Sequence, residues 1–169
     1  MYSHHEEVTG PVVAPVDSVF ALLDDHKRLG SHMSKRSWMM GGGKMDTIID
    51  AAHGRAVGSR VSVRGRVFGF MLWLNERVTE RIPPHKKTWE TEGEPRLLII
   101  GGYRMGFELS PGPATSTRVW IDYDLPKSRW TRWLGVLLSG WYARWCVRAS
   151  LNVVRSPRCR PRAPGAFCA

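Results

Sequence analysis

The sequence lacks acidic residues at its C-terminal end, where basic residues are frequent. No Asp or Glu follows Asp124, whereas nine Lys and Arg residues do. The first 124 residues hold 16 basic and 15 acidic residues, so the remainder carries nearly all of the formal charge of +10. Such an end could contact an anionic membrane weakly, but basic runs more often form a solvated helix face and a tail. Nucleic acid is not an expected partner.

Metal-binding and disulfide patterns are also missing. The chain has three cysteines, Cys146, Cys159 and Cys168, with no C-x-x-C pair among them. Its six histidines show no H-E-x-x-H or similar spacing. A disulfide framework or a zinc site usually needs such spacing, so we expect neither metal nor cofactor. Cys146 is expected to be a small apolar residue of a helix.

Long hydrophobic runs and a secretory leader are absent from the sequence. No stretch of about 18 apolar residues without charge occurs, as a membrane-spanning helix would require. The first seven residues do not show the cationic start and apolar run of a signal peptide, so a cytoplasmic location is expected. With 169 residues, 43% of them hydrophobic, the chain is predicted to form one domain over residues 1–154. The Pro- and Arg-rich residues 155–169 are predicted to be disordered.

Apolar and polar residues alternate through much of the chain with the period of two that is typical of half-buried strands. Clusters of Pro and Gly separate the alternating segments. Two short helices, over 14–23 and 25–33, are predicted after the first strand. Asp17 in the first turn of the earlier helix favours its dipole. The predicted strands cover residues 6–13, 44–50, 61–67, 70–82, 86–91, 98–109 and 115–125.

One long helix is predicted to close the domain, from Arg129 to about Val154. At 100° per residue, its large apolar side chains fall in one broad sector, which we expect to face the sheet. The opposite sector holds Arg132, Ser139, Ala143 and Ser150. The residues expected to face the sheet are Trp130, Leu134, Leu137, Leu138, Trp141 and Trp145.

A twisted antiparallel sheet with a long helix across it tends to enclose an apolar space, which predicts a binding cavity. Aromatic side chains with a polar tip would orient a ligand there while burying apolar area, although they serve equally well in plain core packing. The residues predicted to line this cavity are Leu72, Leu74, Trp89, Tyr103, Met105, Phe107, Ile121, Tyr123, Leu137, Trp141 and Trp145.

Several segments of the chain are similar to those of a known superfamily. They include Ala14-Pro-Val-Asp-Ser-Val-Phe20 at the entry to the first helix, Tyr103-Arg-Met-Gly-Phe-Glu108, and Gly140-Trp-Tyr-Ala-Arg-Trp-Cys146. With these segments the chain resembles the START-like (SRPBCC) helix-grip superfamily of polyketide cyclase/dehydrase-like and lipid-transfer proteins, over about residues 6 to 154. The resemblance implies an α+β fold in which a curved antiparallel sheet of about seven strands wraps around a long C-terminal helix. Two short helices follow the first strand.

Three residues are candidates for acid-base chemistry in the cavity. Strict alternation places Glu76 and Glu80 on the same face as Leu72 and Leu74, where burial would raise the pKa of a carboxyl. Tyr103 is the third candidate. A bulge that reverses the register, or pairing with nearby arginines, would instead give both carboxylates a structural role.

Histidine is a further source of a catalytic base. His26 or His32 could act as one at the cavity entrance, but a solvent-exposed position is the simpler interpretation for each because no positioned partner is evident.

Three functions are compatible with these patterns. The first is binding of a hydrophobic or aromatic small molecule, such as a lipid, a quinone or a polyketide-like compound. The second is a cyclase or dehydratase that uses the same cavity. The third is a module whose basic end docks on anionic membrane or nucleic acid. The first is the leading hypothesis, because apolar surface dominates the predicted interior.

Overall fold

The structure, a computed structural model, describes residues 2–29, 44–67 and 69–155. The elements follow one another in the order expected from the sequence. They are β1 (His4–Val12), α1 (Val16–Leu23), α2 (His26–Leu29), β2 (Lys44–Ile49), β3 (Arg60–Val67), β4 (Phe70–Ile82), β5 (Lys86–Arg96), β6 (Tyr103–Ser110), β7 (Thr115–Tyr123) and α3 (Arg129–Arg155).

The seven strands form one antiparallel sheet in the order β1-β7-β6-β5-β4-β3-β2. The first strand pairs with the last, so that His4 lies opposite Tyr123 and Val12 opposite Thr115. Helix α3 packs against β1, β7 and α1. This is the predicted helix-grip architecture, in which a curved sheet holds the C-terminal helix, and the predicted α+β fold class is confirmed.

Alternation of buried and exposed residues accounts for the strands. In β4, every second residue from Leu72 to Val78 is buried, and in β7 the same holds from Thr115 to Tyr123. Strand β4 ends at Ile82, before Pro83 and Pro84, because proline cannot donate a ladder hydrogen bond. One face of the sheet therefore forms a core with α1 and α3.

Helix α1 seats its apolar side against the sheet. Pro15 precedes the helix and Asp17 lies in its first turn, as its sequence predicts. The side chains of Val19, Phe20 and Leu23 are buried. The ring of Phe20 meets that of Phe107 on β6 edge to face, at 5.6 Å between centroids. Aromatic packing thus fixes α1 over the middle of the sheet.

Helix α3 does not present the predicted sector to the sheet. Leu137 and Trp141 are 69% and 54% exposed, so the prediction that they point inward is wrong. The buried face consists mainly of small and branched residues. They include Ser139 and Ala143, for which the helical spacing predicts the opposite side. The other buried residues of this face are Gly135, Cys146, Val147, Ser150, Leu151 and Val154.

Close approach of α3 to the loops beside it explains this orientation. A Cβ atom on Gly135 would lie 2.7 Å from Cδ of Pro126 and 3.0 Å from the carbonyl oxygen of Ile99, so no side chain fits there. The helix axis can lie this close only when small residues face inward. The large apolar residues are therefore left on the outer side, where Trp133 is also 58% exposed.

Substitution of Leu137 by Ala should change the free energy of unfolding by less than about 0.5 kcal/mol, because the side chain is mostly in solvent. The matched control is Leu151→Ala on the buried face of the same helix, which should cost about 2 kcal/mol. Urea denaturation of both variants measures the difference. A large loss for Leu137→Ala would mean that the helix faces the sheet with its other side.

Some predictions fall on residues outside the described ranges. These are the last part of the predicted second helix, the position of His32, and the tail 156–169. The weak membrane contact predicted for the basic end therefore stays a prediction. Within the described ranges, no helix has both the length and the hydropathy needed to cross a bilayer.

Candidate functional site

The sheet face that holds α1 and α3 carries most of the residues predicted to line a cavity. In register across the sheet, Trp89 lies beside Met105, and Met105 beside Ile121. Tyr103 lies beside Tyr123. Their burial fits the predicted inward orientation, and their role as ligand contacts stays a prediction. The buried members of the predicted set are Leu72, Leu74, Trp89, Tyr103, Met105, Phe107, Ile121 and Tyr123.

The helix side of the predicted lining differs from that expectation. Leu137 and Trp141 lie outside it, as described above, and Trp145 is half-buried. Its ring lies 5.9 Å from that of Tyr142, between centroids. Tyr142 and Cys146 lie near enough to Tyr103 to affect its ionisation. The turn of α3 from Tyr142 to Cys146 therefore lies near Tyr103.

Two of the three candidate acid-base residues meet inside the protein. The hydroxyl of Tyr103 donates a hydrogen bond to Oε1 of Glu76, and both side chains are buried. Glu76 is held inward by the alternation of β4. Thr91 fixes the backbone of Tyr103, because its Oγ1 accepts from Tyr103 N at 3.0 Å and donates to Tyr103 O at 3.1 Å.

Burial determines the ionisation of this pair. It raises the pKa of the Glu76 carboxyl from its ordinary value of 4.5 to about 7, although hydrogen bonds from Tyr103 and Trp89 act in the opposite direction. Burial, and then the neighbouring Glu76, raise the pKa of Tyr103 well above its ordinary value. Near neutral pH, Glu76 can thus either hold or release a proton, while Tyr103 stays a donor.

Glu80 does not share this environment, and the expectation that it faces inward is wrong. The pairing of β4 with β5 shifts register between Val78 and Glu80, which marks a β-bulge. A bulge reverses the side to which later residues point. The carboxylate of Glu80 is 41% exposed and forms an ion pair with Lys86 at 2.9 Å. For Glu80, therefore, the alternative in which a bulge reverses the register is the correct one. Glu76 precedes the bulge and keeps its inward position.

The same bulge turns Arg81 inward, where it joins Lys87 of β5 in a buried charged cluster. Lys87 has no exposed surface, and its Nζ lies 2.7 Å from Oδ1 of Asp24 and 2.9 Å from the carbonyl oxygen of Asp24. The guanidinium of Arg81 donates to both carboxylate oxygens of Asp24, at 3.2 and 2.9 Å. Burial by itself would raise the pKa of Asp24, but the hydrogen bonds from Arg81 and Lys87 outweigh it and hold this pKa below its ordinary value.

His26 also belongs to this cluster. The expectation that it lies in a solvent-exposed position is wrong. The residue is 5% exposed, and its Nδ1 lies 3.1 Å from Nζ of Lys87. Burial, and then the charge of Lys87, lower the pKa of its imidazole to about 3. The ring is therefore neutral at physiological pH and a poor general base. Its edge-to-face contact with Trp89, at 5.2 Å between centroids, connects the cluster to Glu76.

Asp24 and Lys87 are not among the site residues predicted from the sequence. Lys87 stands two residues before Trp89, so alternation places it on the same inward face. Its partner could not be identified in this way because Asp24 is 63 positions away, just after α1. Among the described residues, no group of three or more His, Cys, Asp or Glu side chains is placed to hold a metal ion.

Comparison with known proteins places the fold among helix-grip structures. The Zhui aromatase/cyclase of Streptomyces sp. R1128 is 18% identical to this chain, with a TM-score of 0.61, over 97% of this chain and 99% of that one. A protein of Thermus thermophilus is 13% identical, with a TM-score of 0.63, over 90% of this chain and 94% of its own.

A larger protein contains a similar domain. In the di-domain ARO/CYC StfQ of the steffimycin biosynthetic pathway, 49% of the chain matches 89% of this one, at 11% identity and a TM-score of 0.62. No family model and no curated protein match the sequence. At these identities the comparisons show a shared fold, and they confirm the predicted resemblance at that level.

Proposed function

We propose that this protein, whose chain has the helix-grip fold of the START-like superfamily, binds a hydrophobic or aromatic small molecule between its sheet and α3. The classes considered are lipids, quinones and polyketide-like compounds. The inner sheet face would supply the apolar contacts, chiefly through Trp89, Met105 and Phe107. Burial of apolar ligand surface contributes about 25 cal/mol per Å² before the costs of association.

The observation that carries this proposal is the polar pair of Glu76 and Tyr103 beside the buried apolar side chains of the inner sheet face. A buried carboxyl costs free energy, and Leu or Met at position 76 would pack such a face without that cost. Ionisable groups with strongly shifted pKa values occur more often at functional sites. A few polar groups in an apolar pocket are also what fixes the orientation of a ligand.

The small residues of α3 support the same location. Ser139 and Ala143 are buried on the helix side that faces the sheet, and their short side chains extend little into the interior. The solved structures named as aromatase/cyclases share this fold. Among the proposed ligand classes, polyketide-like aromatic compounds are therefore the first to examine.

Replacement of Ala143 by Leu tests for space between helix and sheet. If a cavity is present, the added side chain should fill it, abolish binding of the fluorescent probe 1-anilinonaphthalene-8-sulfonate and leave the melting temperature nearly unchanged. Arg148→Leu, on the exposed side of α3, should bind the probe as the wild type does. Native mass spectrometry of the purified wild type would show any retained small molecule directly.

The opposite outcome would contradict the proposal. In a solidly packed interior, Ala143→Leu should destabilise the protein by about 1–3 kcal/mol through overpacking, and the wild type should bind no probe.

A second candidate function is favoured by the pKa of Glu76, which lies near neutral pH. A carboxyl of this kind can take a proton from carbon next to a ketone and return it to a leaving hydroxyl, as a cyclase or dehydratase requires. Turnover of a polyketide-like substrate that Glu76→Gln abolishes, while probe binding persists, would support this activity. Equal turnover by the variant would exclude Glu76 from it.

A further inference from the structure

The imidazole of His26 has a buried hydrogen-bonding atom that no residue within the described ranges uses. His26 lies in α2 and is 5% exposed. Its Nε2 is buried without a hydrogen-bond partner, whereas Nδ1 lies 3.1 Å from Nζ of Lys87. Buried polar atoms of native proteins are nearly always paired, so this atom calls for an explanation.

Lys87 determines which nitrogen of His26 carries the proton. Its ammonium group lies 2.7 Å from the carboxylate of Asp24 and can only donate hydrogen bonds. Nδ1 of His26 must therefore accept from Lys87, which leaves the single proton of the neutral ring on Nε2. The unused atom is a hydrogen-bond donor.

The surroundings of the ring show which of its two nitrogens is already occupied. The Nδ1 edge is closed, because Lys87 lies there and a Cβ atom on Gly54 would come within 2.7 Å of Nδ1. Nε2 belongs to the opposite edge. The neighbouring aromatic ring is that of Trp89, which also hydrogen bonds to the carboxyl of Glu76. Trp89 thus neighbours both His26 and Glu76.

We propose that Nε2–H of His26 is a ligand-binding donor that pairs with a carbonyl oxygen of an aromatic ketone or quinone lying against Trp89. The inference rests on the proposed function and makes the ligand class narrower. A carbonyl fits better than a carboxylate, because His26 is neutral and the ammonium of Lys87 is already paired with Asp24. Glu76 would then meet a second polar group of the same ligand.

The test compares two probes that differ by one propionyl group, which supplies the ketone. They are 6-propionyl-2-dimethylaminonaphthalene and 2-dimethylaminonaphthalene, and binding of each is followed by fluorescence titration. The wild type should prefer the ketone probe beyond the ratio seen for partition into octanol, by about tenfold, the upper range for one hydrogen bond. Two variants then separate the two nitrogens of His26.

In His26→Asn, the amide oxygen can replace Nδ1 as the acceptor from Lys87, but nothing replaces Nε2–H. This variant should keep its melting temperature and lose the preference for the ketone. In His26→Gln, the longer side chain places an amide N–H near the position of Nε2. This variant should keep the preference even if the lost contact with Lys87 lowers the melting temperature.

The outcomes distinguish the inference from the function on which it rests. If the wild type binds both probes with no ketone preference, or if His26→Asn keeps that preference, the role of His26 is wrong while the binding site stands. If the wild type binds neither probe, the proposed function fails and this inference fails with it. The comparison of probes on the wild type decides the matter even if a variant does not fold.

Discussion

Substitution of Glu76 by Gln is expected to remove a pH dependence of stability worth about 3 kcal/mol. The folded-state pKa of this carboxyl is about 7, against an ordinary value of 4.5 in the unfolded chain. A difference of this size corresponds to about 1.4 kcal/mol for each pH unit between the two values. The folded state binds the proton more tightly than the unfolded state does, so the wild type gains relative stability at low pH.

The sign of the effect follows from this difference in proton binding. The contribution of Glu76 is fully present below about pH 4.5 and is lost as the pH rises through about 7. Glu76→Gln cannot ionise, so its stability relative to that of the wild type should improve over this interval and level off above it. Urea denaturation of both proteins at several pH values measures the difference.

Glu92→Gln provides a control of opposite sign. The guanidinium of Arg60 donates to the carboxylate of Glu92 at 2.8 and 3.0 Å and holds the pKa of this carboxyl below its ordinary value. Its contribution to stability should therefore be lost when the pH falls, at values more acidic than 4.5. A stability difference for Glu76→Gln that is flat between pH 4.5 and 7 would mean that Glu76 is in contact with water.

Replacement of Lys87 by Met should destabilise the protein by about 3 kcal/mol. The ammonium of Lys87 is fully buried and bonded to the carboxylate and the carbonyl oxygen of Asp24. Removal of one partner of a buried ion pair costs about 3–5 kcal/mol, because the remaining charge is left poorly compensated. We expect the lower end of that range, since Arg81 still pairs with Asp24. Thermal and urea denaturation measure the loss.

The neighbouring Lys86 is a matched control for this prediction. It precedes Lys87 on the same strand, but its ammonium lies on the outer side of the sheet, 2.9 Å from Glu80 and 3.7 Å from Glu108. Exposed ion pairs contribute about 1 kcal/mol or less, so Lys86→Met should have a small effect. Equally small losses of unfolding free energy for the two variants would show that the buried cluster does not stabilise the fold.

Most of the sheet could be predicted from local patterns. The ends of β4 follow from alternation and from Pro83, and the inward positions of Glu76 and Tyr103 follow from alternation alone. These features depend on neighbours along the chain, because successive side chains of a strand point to opposite faces. The contact between Glu76 and Tyr103 joins β4 to β6. The sequence could predict only that both side chains point into the same interior.

The predictions for Glu80 and for the inner side of α3 were wrong because a local pattern did not hold at those places. Alternation fails at the bulge after Val78, which turns Glu80 outward and lets Arg81 reach Asp24. No turn residue in the sequence marks this position. The side of α3 that meets the sheet was also missed, because hydropathy ranks side chains by size and polarity, whereas close approach at Gly135 favours small ones.

The sequence by itself determined the order of elements, the faces of regular strands and the presence of a closing helix, because each depends on periodicity within a few residues. Tertiary structure alone decided which side of α3 lies against the sheet and which charges are buried together. Asp24, His26 and Lys87 meet only when α1 and α2 pack over β5, and the donor left on His26 exists because Lys87 occupies its other nitrogen. Contacts of this kind join distant parts of the chain, so no local pattern encodes them.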